Sequence, residues 1–123
     1  MVEFRFEKLD AWQLGIQLCD EVYRLTRSLP TDERFGLTSQ MRRAAASVPA
    51  NIAEGSGRTS DRDNLRFLEM AYGSLMEVVS HVEVAYRQEF FDSGQRESIR
   101  EVADRVARVL SGLRNHLFQR MQK

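Results

Sequence analysis

Apolar residues recur at intervals of three and four along four stretches of the chain, which is the spacing of one face of an α-helix. No stretch alternates apolar and polar residues for long enough to predict a strand. Turn-forming residues separate the four stretches, at 29–32, 55–57 and 92–94. The pattern therefore predicts an all-α chain. Its helices are expected at about 9–28, 38–55, 61–90 and 95–121.

The third predicted helix has the most regular pattern. Its apolar residues alternate steps of three and four without a break: Leu65, Leu68, Tyr72, Leu75, Val79, Val82 and Tyr86. A repeat of 3.5 residues favours left-handed packing at about 20° to the neighbouring helices, as in four-helix bundles. We therefore expect residues 1–123 to form one antiparallel up-down four-helix bundle. The third helix should be the longest, with Ser60 and Asp63 forming a capping box at its start.

The first predicted helix has two apolar stripes, although one stripe is enough for a helix on the surface of a bundle. The first stripe consists of Leu9, Trp12, Ile16, Cys19 and Tyr23. The second stripe, which points about 130° away, consists of Leu14, Leu18, Val22, Leu25 and Leu29. Four helices do not easily bury both stripes. We therefore expect Leu14, Leu18, Val22 and Leu25 to contact another subunit; the alternative is a central helix inside a thick monomer.

The second predicted helix carries a polar stripe beside its apolar face. The stripe consists of Gln40, Arg43, Ser47, Asn51 and Glu54. These residues lie within about 60° of one another and include fewer charges than an ordinary solvated face. In one interpretation they form a hydrogen-bonded network between helices or subunits, in which Arg43 pairs with Glu54, Glu69 or Glu77. In the other, Arg43 and Asn51 face a ligand or nucleic acid.

Pro49 lies inside this second helix and removes the backbone hydrogen bond to the carbonyl of Ala45. Such a proline costs about 3 kcal/mol unless the helix bends or breaks. We expect a bend at Pro49, with the free carbonyl bonded by a side chain of the Ser47 type or by water.

Several segments resemble one known family. The longest, residues 37–55, reads Leu-Thr-Ser-Gln-Met-Arg-Arg-Ala-Ala-Ala-Ser-Val-Pro-Ala-Asn-Ile-Ala-Glu-Gly, and shorter ones lie at 9–13, 23–26 and 71–77. They are similar to the four-helix-bundle proteins encoded in intervening sequences of bacterial 23S ribosomal RNA genes. The same family includes the accessory variability proteins of diversity-generating retroelements. The resemblance implies an up-down bundle that assembles into a ring-like homopentamer.

The resemblance also implies a function, because the retroelement branch of the family binds RNA and the reverse transcriptase through a basic surface. This chain departs from that branch: its 18 Lys and Arg balance its 18 Asp and Glu. We expect a non-catalytic homo-oligomeric adaptor that binds RNA or a nucleic-acid-processing protein. Arg42, Arg43 and Arg58, supported by basic residues of the fourth helix, are the candidate phosphate contacts. The alternative is a protein-binding scaffold with no nucleic-acid role.

The charges are unevenly distributed along the chain. Residues 61–92 contain three Arg and seven acids, whereas residues 93–123 contain seven Lys or Arg and three acids. One interpretation is mutual attraction between the third and fourth helices or between subunits. The other is a phosphate-facing strip on the fourth helix. That strip would consist of Arg100, Arg108, Arg114, Arg120 and Lys123.

Few residues suggest catalysis or metal binding. The only cysteine, Cys19, lies on an apolar stripe, and the two histidines, His81 and His116, are far apart in sequence. The glycines at 55 and 57 follow a helix and lack the Gly-Lys-Ser/Thr of a nucleotide loop, so a helix cap is the expected role there. We therefore predict no enzyme activity, metal or cofactor. The absence of a long apolar segment predicts a cytoplasmic protein without a membrane span.

Overall fold

Four α-helices joined by short connections make up most of the computed structural model, which describes residues 1–122. The helices are α1 (Asp10–Thr26), α2 (Leu37–Ser56), α3 (Asp61–Arg87) and α4 (Ser93–Met121). Short 3-10 helices at Arg5–Lys8 and Thr31–Glu33 precede α1 and α2. No strand occurs in residues 1–122, which confirms the all-α prediction.

Each helix packs against two others, so the four surround a single apolar core. Both α1 and α3 contact α2 and α4. The apolar repeats supply the core: its largest fully buried side chains are Leu18, Val22, Met41, Val48, Ile52, Leu75, Val78, Val82, Ile99, Val106 and Leu110. Full burial of a side chain of this size contributes about 1.5–3 kcal/mol. These side chains are therefore the main source of stability.

The connection between α3 and α4 makes α4 the longer helix, with 29 residues against 27. The prediction that the third helix is the longest is therefore wrong. Glu89 adopts a left-handed φ of 64°, and the Phe90 amide donates to the Ala85 carbonyl at 2.8 Å, a geometry that ends α3. Asp92 then starts α4 early, because its carboxylate accepts from the Gln95 amide at 2.8 Å.

The start of α3 shows one half of the predicted capping box, because the Asp63 side chain makes no return bond among residues 1–122. The Ser60 hydroxyl accepts a hydrogen bond from the Asp63 amide at 3.1 Å. At the preceding helix end, the amide of Gly57 donates to the carbonyls of Glu54 and Gly55. Gly57 is thus the cap, whereas Gly55 lies buried against α3.

The contact between α1 and α2 accommodates Pro49 without ending α2, which continues to Ser56. Gly15 lies directly against the proline: a Cβ placed on Gly15 would be 3.2 Å from the Pro49 Cβ. The Cys19 thiol donates to the free carbonyl of Ala45, with a sulfur–oxygen distance of 3.1 Å. Ser47 donates instead to Ala44. The expectation that a Ser47-type side chain or water bonds Ala45 is therefore wrong, because a cysteine from the neighbouring helix does so.

The thiol of Cys19 is suited to this role because it stays protonated. Burial, with a smaller contribution from the charge of Asp20, raises the pKa of Cys19 to about 11. A neutral thiol is a hydrogen-bond donor and a poor nucleophile, so the residue acts in packing.

Replacing Cys19 with valine removes this donor and should destabilise the chain by about 1 kcal/mol, the net contribution of a typical hydrogen bond. The cost should fall in a Pro49→Ala background, where the new amide at position 49 bonds the Ala45 carbonyl instead. Urea denaturation of the four chains of this double-mutant cycle measures the difference. Equal costs in both backgrounds would show that the thiol does not compensate for the proline.

Candidate interaction surfaces

Arg42, the first candidate phosphate contact, is held against α1. Its Nε donates to the Thr26 hydroxyl at 2.9 Å, and its Nη2 lies 3.4 Å from the carbonyl oxygen of Tyr23. The guanidinium also lies over the Tyr23 ring, 4.7 Å from its centroid. These contacts use two of the guanidinium donors and one of its faces. Arg42 is therefore a half-buried link between α1 and α2, in contrast to a fully free phosphate contact.

Arg43 and Arg58 do not form one patch with Arg42. Arg43 is exposed near the start of α2, whereas Arg58 follows its end, about 20 Å away at 1.5 Å per residue. Arg58 pairs with Glu54 at 3.3 Å and lies over the ring of Phe67. Of the three arginines, only Arg43 makes no ion pair or side-chain hydrogen bond among residues 1–122. The structure thus separates the predicted phosphate contacts.

The polar stripe of α2 makes only local contacts. The Asn51 amide donates to the Ser47 carbonyl at 2.8 Å, the Ser47 hydroxyl donates to the Ala44 carbonyl, and Glu54 meets only Arg58. Within residues 1–122, Gln40 and Arg43 make no side-chain hydrogen bond. The expectation of a network between helices of one chain is therefore wrong, because these side chains bond along their own helix or point into solvent. A network between subunits stays a prediction.

The second apolar stripe of α1 belongs to the core of its own chain. Leu18 and Val22 are 0% exposed and Leu25 is 7% exposed, while Leu14 is half-buried against the core. The prediction that this stripe contacts another subunit is wrong for Leu18, Val22 and Leu25. Because α1 packs against both α2 and α4, it can bury this second stripe. The first stripe is partly covered by Phe6, which packs edge-to-face on Trp12 at 5.2 Å.

Opposite charges on α3 and α4 pair with each other, as one interpretation of the charge distribution predicted. Glu83 accepts from Arg96 at 2.7 Å and from Arg100 at 2.9 Å. Asp61, the first residue of α3, pairs with Arg120 near the end of α4 at 3.1 Å. These pairs link both ends of the two helices.

The same contacts leave little of the predicted phosphate strip on α4. Arg108 pairs with Asp104 on its own helix, and Arg114 lies 4.4 Å over the ring of Tyr72 on α3. Lys123 lies outside the described residues. Four of the five basic residues are therefore engaged within the chain, so the strip is not a continuous surface of free cations.

Glu83 should make the stability of the chain sensitive to acid. Its hydrogen bond from Arg96, assisted by the charges of Arg96, Arg100 and Arg87, lowers the pKa of this carboxyl below its usual 4.5. A lowered pKa stabilises the folded state at pH values above 4.5, and this stabilisation is lost as the pH falls through the folded-state pKa. Glu83→Gln should therefore lower the melting temperature at pH 7, and the difference from the unmodified chain should shrink in acid.

The matched control is Glu101→Gln, because Glu101 is exposed on α4 and makes no ion pair among residues 1–122. The melting temperatures of both variants are measured by circular dichroism between pH 7 and pH 3, because carboxylates become protonated over about this range. If both variants melt alike at every pH, the ion pair contributes nothing measurable.

The exposed side of α2 carries the fewest charges of any helix surface in the described chain. Arg43 and Glu54 are its only exposed charged residues, and they are separated by the exposed small residues Ala46 and Ala50. The adjoining surface of α3 adds Met70 and Val84, which are 46% and 44% exposed, with Gly73 and the exposed carboxylate of Glu77 between them. Together these residues form what we call the α2–α3 face. Small and apolar side chains on a charge-poor surface are typical of protein interfaces.

Other chemistry has few candidates in residues 1–122. Glu77 contacts His81 at 3.1 Å, but no group of three potential metal ligands occurs in this part of the chain. None of its helices combines the length and the apolar character needed to cross a membrane. The fold and its surfaces define a small all-α protein of four packed helices.

The pattern of the 23S rRNA-intervening sequence protein family matches residues 7–112. The chain therefore belongs to this family, as the resemblance of its segments indicated. None of the curated proteins compared with the chain matches it significantly.

The fold is also similar to a crystal structure of a protein with unknown function from the S23 ribosomal protein family of Bacteroides thetaiotaomicron. The TM-score is 0.78 at 22% sequence identity, and the match covers 85% of this chain and 97% of the other. At this identity the likeness shows a shared fold.

Proposed function

We propose that this protein is a non-catalytic, self-associating adaptor built on an antiparallel up-down four-helix bundle. The α2–α3 face carries this proposal, because small and apolar side chains make up much of it and its polar side chains bond only locally. Contacts of Asp61 with Arg120 and of Glu83 with Arg96 support opposite directions for α3 and α4. Family membership supports a ring-like homopentamer as the assembly. The free thiol of Cys19 fits a cytoplasmic location.

Self-association through the α2–α3 face replaces the earlier assignment to α1. Ala50 is exposed near the middle of the face, so Ala50→Glu would place a charge inside a desolvated contact. Light scattering should give about five times the chain mass of 14.2 kDa for the unmodified protein. Ala50→Glu should give smaller species with unchanged helix content. Gln17→Glu, on the exposed side of α1, should leave the assembly intact.

A monomeric mass for the unmodified protein would contradict self-association. If Ala50→Glu assembles as well as the unmodified protein, the α2–α3 face is not the contact. Both measurements are made at equal concentration, because the apparent stability of an oligomer depends on it.

The partner of the adaptor is proposed to be a protein, since the arginines are dispersed and mostly paired. RNA is the second candidate because one specific surface favours it. Arg58, Arg62 and Arg66 follow each other at intervals of four, and the first and last flank the buried ring of Phe67 at 4.6 and 4.9 Å. The Phe67 ring brings Arg58 and Arg66 together, and Arg62 lies one turn of α3 before Arg66, so three arginines mark the end of α2 and the start of α3.

Titration with structured and single-stranded RNA at two salt concentrations separates the candidates. Each neutralised phosphate adds about 0.7 to 0.9 to the slope of log affinity against log salt, so these three arginines should give a slope of about 2 to 3. Replacing the three arginines with glutamine should abolish that slope, whereas Arg105→Gln, on exposed α4, should not. No binding at low salt would eliminate the RNA candidate and leave the protein-binding scaffold.

A further inference from the structure

A cavity opens at the end of the bundle where the N-terminal segment and the ends of all four helices meet. It lies between Arg5–Lys8, the start of α1, the end of α2, the start of α3 and the end of α4, and its volume is about 170 Å³. Its apolar wall consists of Phe6, Leu9, Ile52, Leu68, Leu113 and Leu117. Because α2, α3 and α4 all contribute to this wall, the packing of the bundle fixes the shape of the cavity.

Two arginines and a histidine lie at the rim of the cavity. Arg5 lines it from the N-terminal segment and makes no ion pair among residues 1–122, and Arg120 and His116 line it from α4. Arg120 uses its Nε for Asp61 at 3.1 Å, which leaves the donors of its two Nη groups for another acceptor. No acidic residue lines the cavity itself, and its remaining polar lining residues are Ser56 and Asn64. The site therefore combines a largely apolar interior with two arginines that keep unused hydrogen-bond donors.

We propose that this cavity binds a small amphipathic monocarboxylate. An apolar cavity of about 150 Å³ accommodates benzene, so this one has room for a body of about six to eight carbon atoms. The apolar wall takes up that body, and the carboxylate lies at the rim between Arg5 and Arg120. Arginine is the side chain best matched to a carboxylate, because its donors are arranged as a fork. An alkylammonium of the same length meets repulsion at the same rim.

The test compares three eight-carbon compounds that differ only in the polar end. Octanoate, octanol and octylamine are each titrated into the full chain by isothermal calorimetry. A hydrogen bond to a charged group changes affinity by about tenfold or more, so octanoate should bind at least about tenfold more tightly than octanol. Octylamine should bind weakest. Equal affinities for octanoate and octanol would overturn the assignment of the rim, and no octanoate binding would overturn the site.

The single tryptophan reports whether octanoate occupies this cavity. Trp12 contacts the wall residue Phe6 edge-to-face, with centroids 5.2 Å apart, so a ligand against Phe6 should change the emission of Trp12. Unchanged emission at saturation would place octanoate elsewhere and contradict the proposal.

Two variants test the wall and the rim separately. Leu113→Phe adds volume to the wall and should weaken octanoate binding about tenfold or more, by occupying the space of the ligand. Arg5→Gln changes an exposed residue, leaves the core intact, and should reduce the preference for octanoate over octanol to less than about threefold. Arg105→Gln, exposed on α4 away from the cavity, should bind like the unmodified chain. Unchanged octanoate affinity and preference in a folded Arg5→Gln chain would overturn the rim assignment.

Discussion

Leu18→Glu is expected to unfold the chain and not merely to separate subunits. Leu18 is 0% exposed and belongs to the core that all four helices share. Loss of a buried leucine costs about 2–5 kcal/mol, and an unpaired buried carboxylate adds several more. The sum approaches the total stability of a typical domain, about 5–15 kcal/mol. Far-UV circular dichroism should show the loss of helix, and urea denaturation should show a lower midpoint if any folded protein remains.

Gln17→Glu is the matched control, because the neighbouring residue on α1 is exposed and the same carboxylate there stays in water. Its stability should change by less than about 0.5 kcal/mol. A helical, monomeric Leu18→Glu protein would contradict the burial of this stripe and restore its assignment to a contact between subunits.

The two stripes of α1 show what the sequence predicts and what it does not. A helical projection gives the direction of each side chain, so the four helices and most core positions followed from the spacing of apolar residues. It does not give the neighbour that each direction faces. The close approach of α2 at Gly15 and Pro49 depends on two residues that are 34 positions apart. Only the folded chain shows that the second stripe faces the core of its own chain while the first stripe stays partly exposed.

The separation of the three candidate phosphate contacts has a related reason. Arg42 is a candidate phosphate contact because of its charge. Its partners Tyr23 and Thr26 lie on another helix, and no local pattern predicts contacts at that separation. The opposite net charges of the two segments predict ion pairs between α3 and α4. They do not predict that Glu83 is the residue that pairs with Arg96. Charge balance therefore predicted attraction between helices and not the particular residues.

Some helix ends follow from the residue types in the sequence, and others do not. Ser60 and Asp92 are residue types that favour N-caps, and both serve as caps in the structure. Glu89 takes a left-handed conformation that normally favours glycine, so its residue type does not mark the end of α3. The buried side chain of Phe91 holds the turn beyond it. Tertiary packing thus determined the boundary that the sequence pattern placed too late.

Gly55→Leu should be the second most damaging substitution, because Gly55 lets α2 and α3 approach closely. A Cβ at this position would lie 2.8 Å from both the Asn64 Oδ1 and the Phe67 Cβ, and 3.2 Å from the Asn64 carbonyl oxygen. The last of these atoms belongs to the backbone of α3, so the two helices must separate to admit a side chain. Overpacking of this kind costs about 3 kcal/mol or more when the backbone has to move. This cost exceeds the roughly 1 kcal/mol that leucine gains over glycine in a helix.

Gly112→Leu measures the gain in helix propensity alone, since a Cβ at Gly112 on α4 would meet nothing within 4 Å. The control should therefore be stabilised by up to about 1 kcal/mol, and the two glycine substitutions should have opposite signs. Urea denaturation of both variants at equal protein concentration measures the two changes in the free energy of unfolding. If Gly55→Leu is as stable as Gly112→Leu, then α2 and α3 do not meet as closely at this end as Gly55 requires, and the wall of the cavity formed by their ends is wider than described.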